Sequence, residues 1–203
     1  MQAYGPAYRI VTPRLVARCW SPTDAENVQR AIDASLRELR PFMPWAQAEP
    51  EAVDAKAERL RQYRGRFDLG QDFAYGIFLG DECVGACGLH TRQGPTIREI
   101  GYWIATAHTK KGFATEIALG LTHVALRVDR VPRVEIRCDP SNVASARVAE
   151  KVGMRREGTL RADVIRPDGS LRDTLLFAAT SLDLDALPKI EVRAEGVLGE
   201  RLL

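Results

Sequence analysis

The stretch from Ile97 to Ala118 constrains the fold more than any other part of this chain. In its first part every second residue is apolar, at Ile100, Tyr102 and Ile104, which is the period of a β-strand. Beyond Gly112 the apolar residues recur at helical spacing, at Phe113, Ile117, Leu121, Val124 and Val128. The pattern predicts a strand, a short connection, and a helix that begins at Gly112 and packs one face on a sheet.

The junction at Gly112 predicts an anion site. The first N–H groups of a helix have no intrahelical partner, and the helix dipole adds positive potential at the same end. Gly112 lets the backbone approach a ligand closely, and Lys110 and Lys111 add two charges. These features favour phosphate as the anion, although an ordinary turn with solvated lysines has the same sequence pattern.

Composition indicates a globular protein with one core. The chain has 203 residues, of which 45% are hydrophobic. Its 29 basic and 27 acidic residues leave a net charge of +2, so no basic excess indicates nucleic acid. Residues 1–6 show no signal-peptide pattern, and the apolar runs are too short to span a bilayer. We therefore expect a cytoplasmic protein with no membrane or nucleic-acid partner.

The cysteines do not indicate a metal centre or a nucleophile. In a cytoplasmic chain Cys19, Cys83, Cys87 and Cys138 are expected to be reduced and mostly buried. Cys83 and Cys87 lie four residues apart, but no second Cys or His pair stands at ligand spacing, so we expect no metal. Cys138 has no base that the sequence identifies beside it.

The first third of the chain predicts strand and then two helices. Residues 8–20 are rich in strand formers, with Pro13 marking a bulge or an edge. A capping box at Ser21–Asp24 opens a helix that runs to Leu39. A second helix, Glu51–Leu69, turns Val53, Ala57 and Leu60 inward. Two helices placed early in the chain, between strands, often form a wall over an active-site cleft. Trp45, between the two helices, therefore either packs in the core or lines an acceptor pocket.

The remaining segments complete an α/β (α+β type) fold. Strands at 72–79 and 82–90 form a hairpin through Gly80 and Asp81, and a strand at 131–138 lies parallel to the central one. A short helix ending at Gly153 and strands at 159–166 and 171–179, hinged at Pro167–Gly169, follow. We predict a mixed, mostly antiparallel, seven-stranded sheet with helices on both faces and a central β-α-β unit. Residues 1–183 form a single domain, and 184–203 an extension, with 190–194 an extra strand or part of a loose tail.

Five segments taken together resemble a known family. They are EIGYWI (99–104), HTKKGFATE (108–116), CDPSNVASARVAEKVGMRREGTLR (138–161), TPRLVARCWSPTDA (12–25) and LRPFMPWA (39–46). In order and spacing the chain resembles the GNAT superfamily of acetyl-CoA-dependent N-acetyltransferases, and within it the RimJ/RimL-type branch of ribosomal-protein N-terminal acetyltransferases. The resemblance covers roughly residues 8–182.

The resemblance implies an acetyl-CoA site around the central β-α-β unit. The family's pyrophosphate loop reads Gln/Arg-x-x-Gly-x-Gly/Ala, and this chain departs from it with Thr109 at the first position. The implied loop residues are Thr109, Lys110, Lys111, Gly112, Phe113, Ala114 and Thr115. Pantetheine would lie between the central strand and the 134–138 strand, against the backbone of Tyr102, Trp103 and Ile104. Asn142 would lie beside the cofactor.

The resemblance also implies the proton donor. Ser145 matches a serine that protonates the departing CoA thiolate, and Tyr102 is an alternative donor. By themselves Asn142 and Ser145 favour helix capping, and only the family pattern favours a role at the cofactor for them. Our candidate base is Glu99, acting through water at the acceptor side, unless it merely pairs with an arginine. His108 and His123 show no carboxylate partner at useful spacing and are expected to be structural.

The function indicated first is direct acetyl transfer from acetyl-CoA to the N-terminal α-amine of a protein. The acceptor could instead be a polyamine, an amino sugar, an amino acid or an antibiotic, and the donor a longer acyl-CoA such as succinyl-CoA. A CoA-binding regulatory protein without turnover is a third interpretation. Nucleotide binding by a Walker loop is disfavoured because its glycine spacing is absent. The relatives in the family suggest a homodimer.

Overall fold

The computed structural model describes residues 6–166 and 168–203. What the sequence suggested for residues 1–5 and for Pro167 in the predicted hinge therefore lies outside the described residues. Nine strands are described: β1 (Arg9–Val11), β2 (Val16–Cys19), β3 (Phe73–Leu79), β4 (Glu82–His90), β5 (Ile97–Ile104), β6 (Arg133–Cys138), β7 (Arg155–Ile165), β8 (Leu171–Thr180) and β9 (Arg193–Glu195).

The described helices lie in three places between these strands: after β2, after β5 and after β6. They are α1 (Ala25–Asp33), α2 (Leu36–Leu39), α3 (Val53–Asp68), α4 (Phe113–Arg127) and α5 (Val143–Val152), with 3₁₀ turns at Pro22–Asp24, Pro44–Ala48, Thr106–His108 and Ser181–Asp183. No helix within residues 6–166 and 168–203 is long and apolar enough to cross a lipid bilayer.

The strands form one sheet in the order β7-β8-β6-β5-β4-β3-β2-β1-β9. Strands β5 and β6 are parallel, and the other neighbouring pairs are antiparallel. Parallel strands cannot be joined by a tight turn and need a crossover connection, which α4 supplies here. The predicted α/β class, the mostly antiparallel sheet and the central β-α-β unit are confirmed.

The predicted count of seven strands is too low by two. Residues 8–20 are a hairpin of β1 and β2 because Thr12 N–H bonds to the Leu15 carbonyl at 2.9 Å, which places Pro13 in a turn. The second addition is β9, three residues beyond the start of the predicted strand at 190, which pairs antiparallel with β1. Leu187 and Ala194 are buried in the same cluster as α4, so these residues are not a loose tail. The domain boundary at residue 183 stays a prediction.

The helix predicted to run from the capping box to Leu39 is broken. The capping box of Ser21 and Asp24 is present, but α1 ends at Asp33 and α2 begins at Leu36. The break is held by Ser35, whose hydroxyl donates to the Ala31 carbonyl at 2.7 Å and accepts from the N–H of Thr106 at 3.0 Å.

The second helix forms as α3, but one of its inward residues was wrongly predicted. Val53 is exposed, whereas Lys56 is buried and its ammonium lies between the carboxylates of Glu49 and Glu51. A lysine can occupy this position because two carboxylates offset the cost of burying its charge. Apolar periodicity cannot reveal such a pair.

Two hydrophobic clusters lie on opposite faces of the sheet. Helices α4 and α5 belong to one cluster, and α1, α2 and Leu60 of α3 to the other. Strand β5 contributes Ile100 to the first and Trp103 to the second, as alternation along a strand requires. Helix α4 is buried all round over residues 117–126, not on one face as predicted, because the C-terminal segment also packs in its cluster.

Candidate active site

The start of α4 has the geometry that the sequence predicts for an anion site. Gly112 adopts a left-handed conformation with φ of +83°, and Lys110 also has a positive φ of +60°. Among the described residues no side chain caps the first turn of this helix. The N–H groups at Phe113, Ala114 and Thr115 therefore stay available to a ligand, at the positive end of the dipole.

The turn between β1 and β2 braces this loop, which the sequence did not reveal. Glu116, in the first turn of α4, accepts from Thr12 Oγ1 at 2.7 Å, from Arg14 N at 2.9 Å and from Arg14 Nε at 2.6 Å. Arg14 also donates Nη1 to the Lys111 carbonyl at 2.9 Å and stacks its guanidinium over the Phe113 ring. The loop is thus held by contacts about a hundred residues away in sequence.

Two of the histidines lie away from the cleft. His108, which showed no carboxylate partner in the sequence, has one in Glu82, 3.0 Å from Nε2, and its ring stacks on Phe113. His123 contacts the Pro188 carbonyl through Nε2 at 3.1 Å. Both contacts join chain segments to each other, as a structural role requires.

The parallel strands β5 and β6 separate after a short pairing. They match at Ile97–Arg133, Arg98–Val134 and Glu99–Glu135, and no further. Beyond that point the facing edges of Gly101–Ile104 and Ile136–Cys138 have no strand partner on this side within the described part of the chain. A cavity of about 1030 Å³ opens there, with Tyr102, Trp103, Cys138, Asn142 and Ser145 among the residues that line it.

The two predicted proton donors are in contact. Tyr102 OH and Ser145 Oγ lie 2.9 Å apart and share a hydrogen bond. Burial raises the pKa of Tyr102 to about 12, against a smaller opposing effect of the Ser145 bond. Burial also raises the pKa of the Cys138 thiol, and a hydrogen bond from Ser145 partly opposes it, so Cys138 is not an activated nucleophile. Asn142 caps α5 by accepting from Ser145 N at 3.1 Å, which positions the serine.

Glu99 is paired with an arginine, the alternative that the sequence left open. Its Oε1 accepts from Arg92 Nη1 at 2.8 Å, and Gln93 Nε2 lies 3.3 Å from its Oε2. Its side chain lines the same cavity. Each carboxylate oxygen accepts one hydrogen bond and keeps a second lone pair that a water could use, so a role as base stays a prediction.

The face of the sheet toward α1 and α3 forms an acceptor side with aromatic walls. Trp45 is half-buried, lines the cavity, and lies 5.9 Å from Trp103 between ring centroids. Trp45 thus combines the packing and the lining roles between which the sequence did not decide. Small residues at Ala74, Ala86 and Gly101 leave space in front of these rings.

One pair of cavity residues was missed by sequence reasoning. His90 Nδ1 lies 2.9 and 3.0 Å from the two carboxylate oxygens of Asp72. Burial raises the pKa of Asp72, but the His90 hydrogen bond and the nearby charges outweigh it, so the pKa lies below its usual value. A Cβ on Gly88 or Gly101 would stand 2.6 or 3.0 Å from His90 Nε2, so both glycines make room for the ring.

This arrangement was compared with known protein families. Residues 14–155, more than half of the chain, match the sequence profile of the acetyltransferase (GNAT) domain. The chain belongs to the GNAT acetyltransferase family. It is therefore an acyl-CoA-dependent N-acetyltransferase with acetyl-CoA as co-substrate, as the resemblance implied. The free N–H groups at the start of α4 suit a diphosphate, and the unpaired edges of β5 and β6 suit the amides of pantetheine.

Individual relatives agree with this assignment. The chain is 30% identical to "Probable N-acetyltransferase YjcK" of Bacillus subtilis over 55% of this chain and 64% of that protein. It is 25% identical to the ribosomal-protein-serine acetyltransferase of Escherichia coli over 68% of this chain and 79% of that protein. The fold matches RimL, a ribosomal L7/L12 α-N-protein acetyltransferase solved with coenzyme A, with a TM-score of 0.75 and 21% identity over 84% and 95% of the two chains. The resemblance to the RimJ/RimL-type branch is confirmed.

Proposed function

We propose that this GNAT enzyme acetylates the N-terminal α-amine of a protein. The observation that supports it is the charge of the acceptor cavity. Of its five lining carboxylates, those of Glu49, Glu99 and Asp139 pair with a lysine or an arginine, Asp72 pairs with His90, and Asp163 is the fifth. Six lysines and arginines line the same cavity, so it is not the acidic pocket that a polyamine would require. Relatives whose names specify ribosomal-protein acceptors favour the same class.

We assign the chain's residues to this reaction as follows. The N-terminus of α4 and the two lysines before it would hold the anionic end of the co-substrate. The unpaired edge at Tyr102–Ile104 would orient its amides and polarise the acyl carbonyl through a backbone N–H. Acetyl-CoA itself supplies the activated acetyl group and a thiol leaving group. The hydrogen-bonded hydroxyls of Tyr102 and Ser145 would hold the proton for that thiolate, because burial keeps the phenol protonated.

Thiol release from acetyl-CoA against a panel of acceptors tests the proposal. The panel contains peptides with a free Ala or Ser N-terminus, the same peptides with a blocked N-terminus and an internal lysine, spermidine, an aminoglycoside and free amino acids. We expect release with the free N-termini only, and mass spectrometry should locate the acetyl group on the α-nitrogen. Release with spermidine or the aminoglycoside alone would refute the protein acceptor in favour of a small amine.

The same assay separates the other interpretations. To identify the acyl donor, thiol release from succinyl-CoA is compared with release from acetyl-CoA. The thioester that reacts faster is the preferred donor. Tight CoA binding by calorimetry without release for any amine would favour a regulatory protein. The homodimer and the cytoplasmic location also stay proposals, to be tested by light scattering of the purified protein and by cell fractionation.

A further inference from the structure

His90 and Asp72 form a hydrogen-bonded pair in the acceptor cavity to which the proposed mechanism gives no role so far. Both line the cavity, and the His90 side chain is 13% exposed. They come from neighbouring strands, Asp72 directly before β3 and His90 at the end of β4. The pair therefore lies where two adjacent strands of the sheet begin and end.

The pairing determines which nitrogen of His90 is free. An ionised carboxylate only accepts hydrogen bonds, so the Nδ1 atom 2.9 and 3.0 Å from Asp72 carries the proton. The lone pair of the neutral ring then resides on Nε2. Within residues 6–166 and 168–203, no group forms a hydrogen bond to that atom. An imidazole held in this tautomer can take up a proton at Nε2.

Nε2 lies at the point where the sheet opens. His90 is the register partner of Glu99, the last residue of β5 that pairs with β6. A Cβ at Gly101, two residues on, would stand 3.0 Å from Nε2. By strand alternation Gly101 shares the face of Trp103, whereas Tyr102 faces α5 and Ser145. The imidazole and the two hydroxyls thus approach the separated edge of β5 from opposite faces.

We propose that His90 accepts the proton of the substrate amine, with Asp72 as its positioning residue. The proposal rests on the proposed function only in that the acceptor is an amine. A protonated amine R–NH₃⁺ gives one proton to Nε2, which yields R–NH₂ with a free lone pair and an imidazolium. The nitrogen then forms the bond to the acyl carbon as the carbon–sulfur bond breaks, and the thiolate takes a proton from the Tyr102 and Ser145 hydroxyls. The new amide nitrogen loses its second proton to water in the cavity, and water restores the proton of the hydroxyl pair. The imidazolium returns its proton to water through the open cavity.

The charges around His90 are compatible with this step. Asp72 faces it from the segment before β3, Arg92 from the turn after β4, and Glu99 from β5. Arg59 and Arg66 of α3 line the same cavity. Arg92 and Glu99 neutralise each other, so the Asp72 carboxylate is the charge that stabilises an imidazolium, as in other histidine–carboxylate pairs.

The test compares His90→Gln, Asp72→Asn and the control Glu82→Gln on two acceptors. Glu82 also pairs with a histidine, but it lies outside the cavity, so its variant controls for loss of a carboxylate–imidazole contact. One acceptor is a peptide with a free α-amine. The other is the same peptide with an N-terminal aminooxy group, which is unprotonated at neutral pH and gives no proton up before attack.

With the amine, His90→Gln should lower kcat by about 10²- to 10⁴-fold while the KM for acetyl-CoA changes less than twofold. With the aminooxy peptide the loss should be at least tenfold smaller. In the variant the acidic limb of the kcat/KM profile for the amine should follow the ionisation of the α-amine alone, whose pKa is roughly 7.7–8. Asp72→Asn should also lower kcat more with the amine than with the aminooxy peptide, but by a smaller factor than His90→Gln. Glu82→Gln should leave kcat unchanged with both acceptors. If His90 had only a structural role, its replacement would lower kcat by the same factor with both acceptors.

Equal losses for the two acceptors, or a His90→Gln rate within threefold of wild type, would overturn the role of His90 alone. If the wild type acetylates only a small amine, the protein acceptor is wrong, and the same comparison is made with that amine and its aminooxy analogue. If the wild type acetylates no amine, both proposals fall.

Discussion

Replacing Gly112 with alanine tests whether the start of α4 holds the anionic end of acetyl-CoA. Gly112 has a φ of +83°, a conformation in which an L-residue costs roughly 1–2 kcal/mol. An added Cβ would meet only Arg14 Nη2, at 3.4 Å, so overlap adds little to that strain. In a chain of this size the variant should melt roughly 3–6 °C lower than wild type.

Gly70→Ala is the matched control for backbone strain. Gly70, just after α3, also has a positive φ of +68°, and a Cβ there would meet nothing within 4 Å. Its alanine variant should therefore lose about the same stability, on the order of 1–2 kcal/mol, without any change near the loop. A difference between the two variants in ligand binding then reports the loop itself.

The two variants should differ in their affinity for CoA. If the strained loop relaxes, at least one of its N–H donors turns away from the diphosphate, and a hydrogen bond to a charged group contributes about 1.5–3 kcal/mol. Gly112→Ala should then bind CoA about 10- to 100-fold more weakly by calorimetry, and Gly70→Ala like wild type. If Gly112→Ala shows the expected fall in melting temperature but binds CoA with unchanged affinity, the anion site is refuted.

Three further predictions concern the brace, the proton donor and the acceptor wall. Glu116→Gln removes the charge from three hydrogen bonds and places an amide NH₂ group opposite Arg14 Nε. It should lower the free energy of unfolding in urea by about 2–4 kcal/mol, whereas Glu150→Gln, exposed on α5, should change it little. Tyr102→Phe should lower kcat by about 10²-fold. Because a pKa of about 12 keeps this phenol protonated, the loss should be constant between about pH 6 and pH 10 in a pH–rate profile. Trp45→Ala should raise the KM of the acceptor about tenfold or more but leave that of acetyl-CoA unchanged, by initial-rate kinetics.

The local features of the fold could be read from the sequence because short-range physics decides them. The helix start at Gly112, the hairpin at Gly80 and Asp81, and the αL stop at Gly153 each follow from one or two residues. The family resemblance supplied Ser145 and Tyr102 only as alternative proton donors. Their contact was not predicted, because the two residues are 43 positions apart in the sequence.

The His90–Asp72 pair was beyond sequence reasoning for a specific reason. A plain two-residue hairpin at Gly80 and Asp81 would place Asp72 opposite Leu89. The register shifts between Ile77 and Phe78, and beyond that bulge Phe73 pairs with Leu89, so that Asp72 and His90 come together. A shift of one residue exchanges the faces of a strand, and the sequence carries no clear signal for it. The buried ion pairs of Lys56 and Glu116 were missed for a related reason, because each depends on contacts that apolar patterns do not encode.

The three-residue match between β5 and β6 has a mechanical consequence. It divides the sheet into two plates, one of three strands and one of six, that share a single short seam. Few hydrogen bonds cross that boundary, so the two parts of the sheet should be able to rotate slightly relative to each other there. A co-substrate bound between β5 and β6 would connect the two parts of the sheet and restrict this rotation. Relative motion of the two parts of the sheet should therefore decrease when acetyl-CoA binds and increase again when CoA leaves, once in every catalytic cycle.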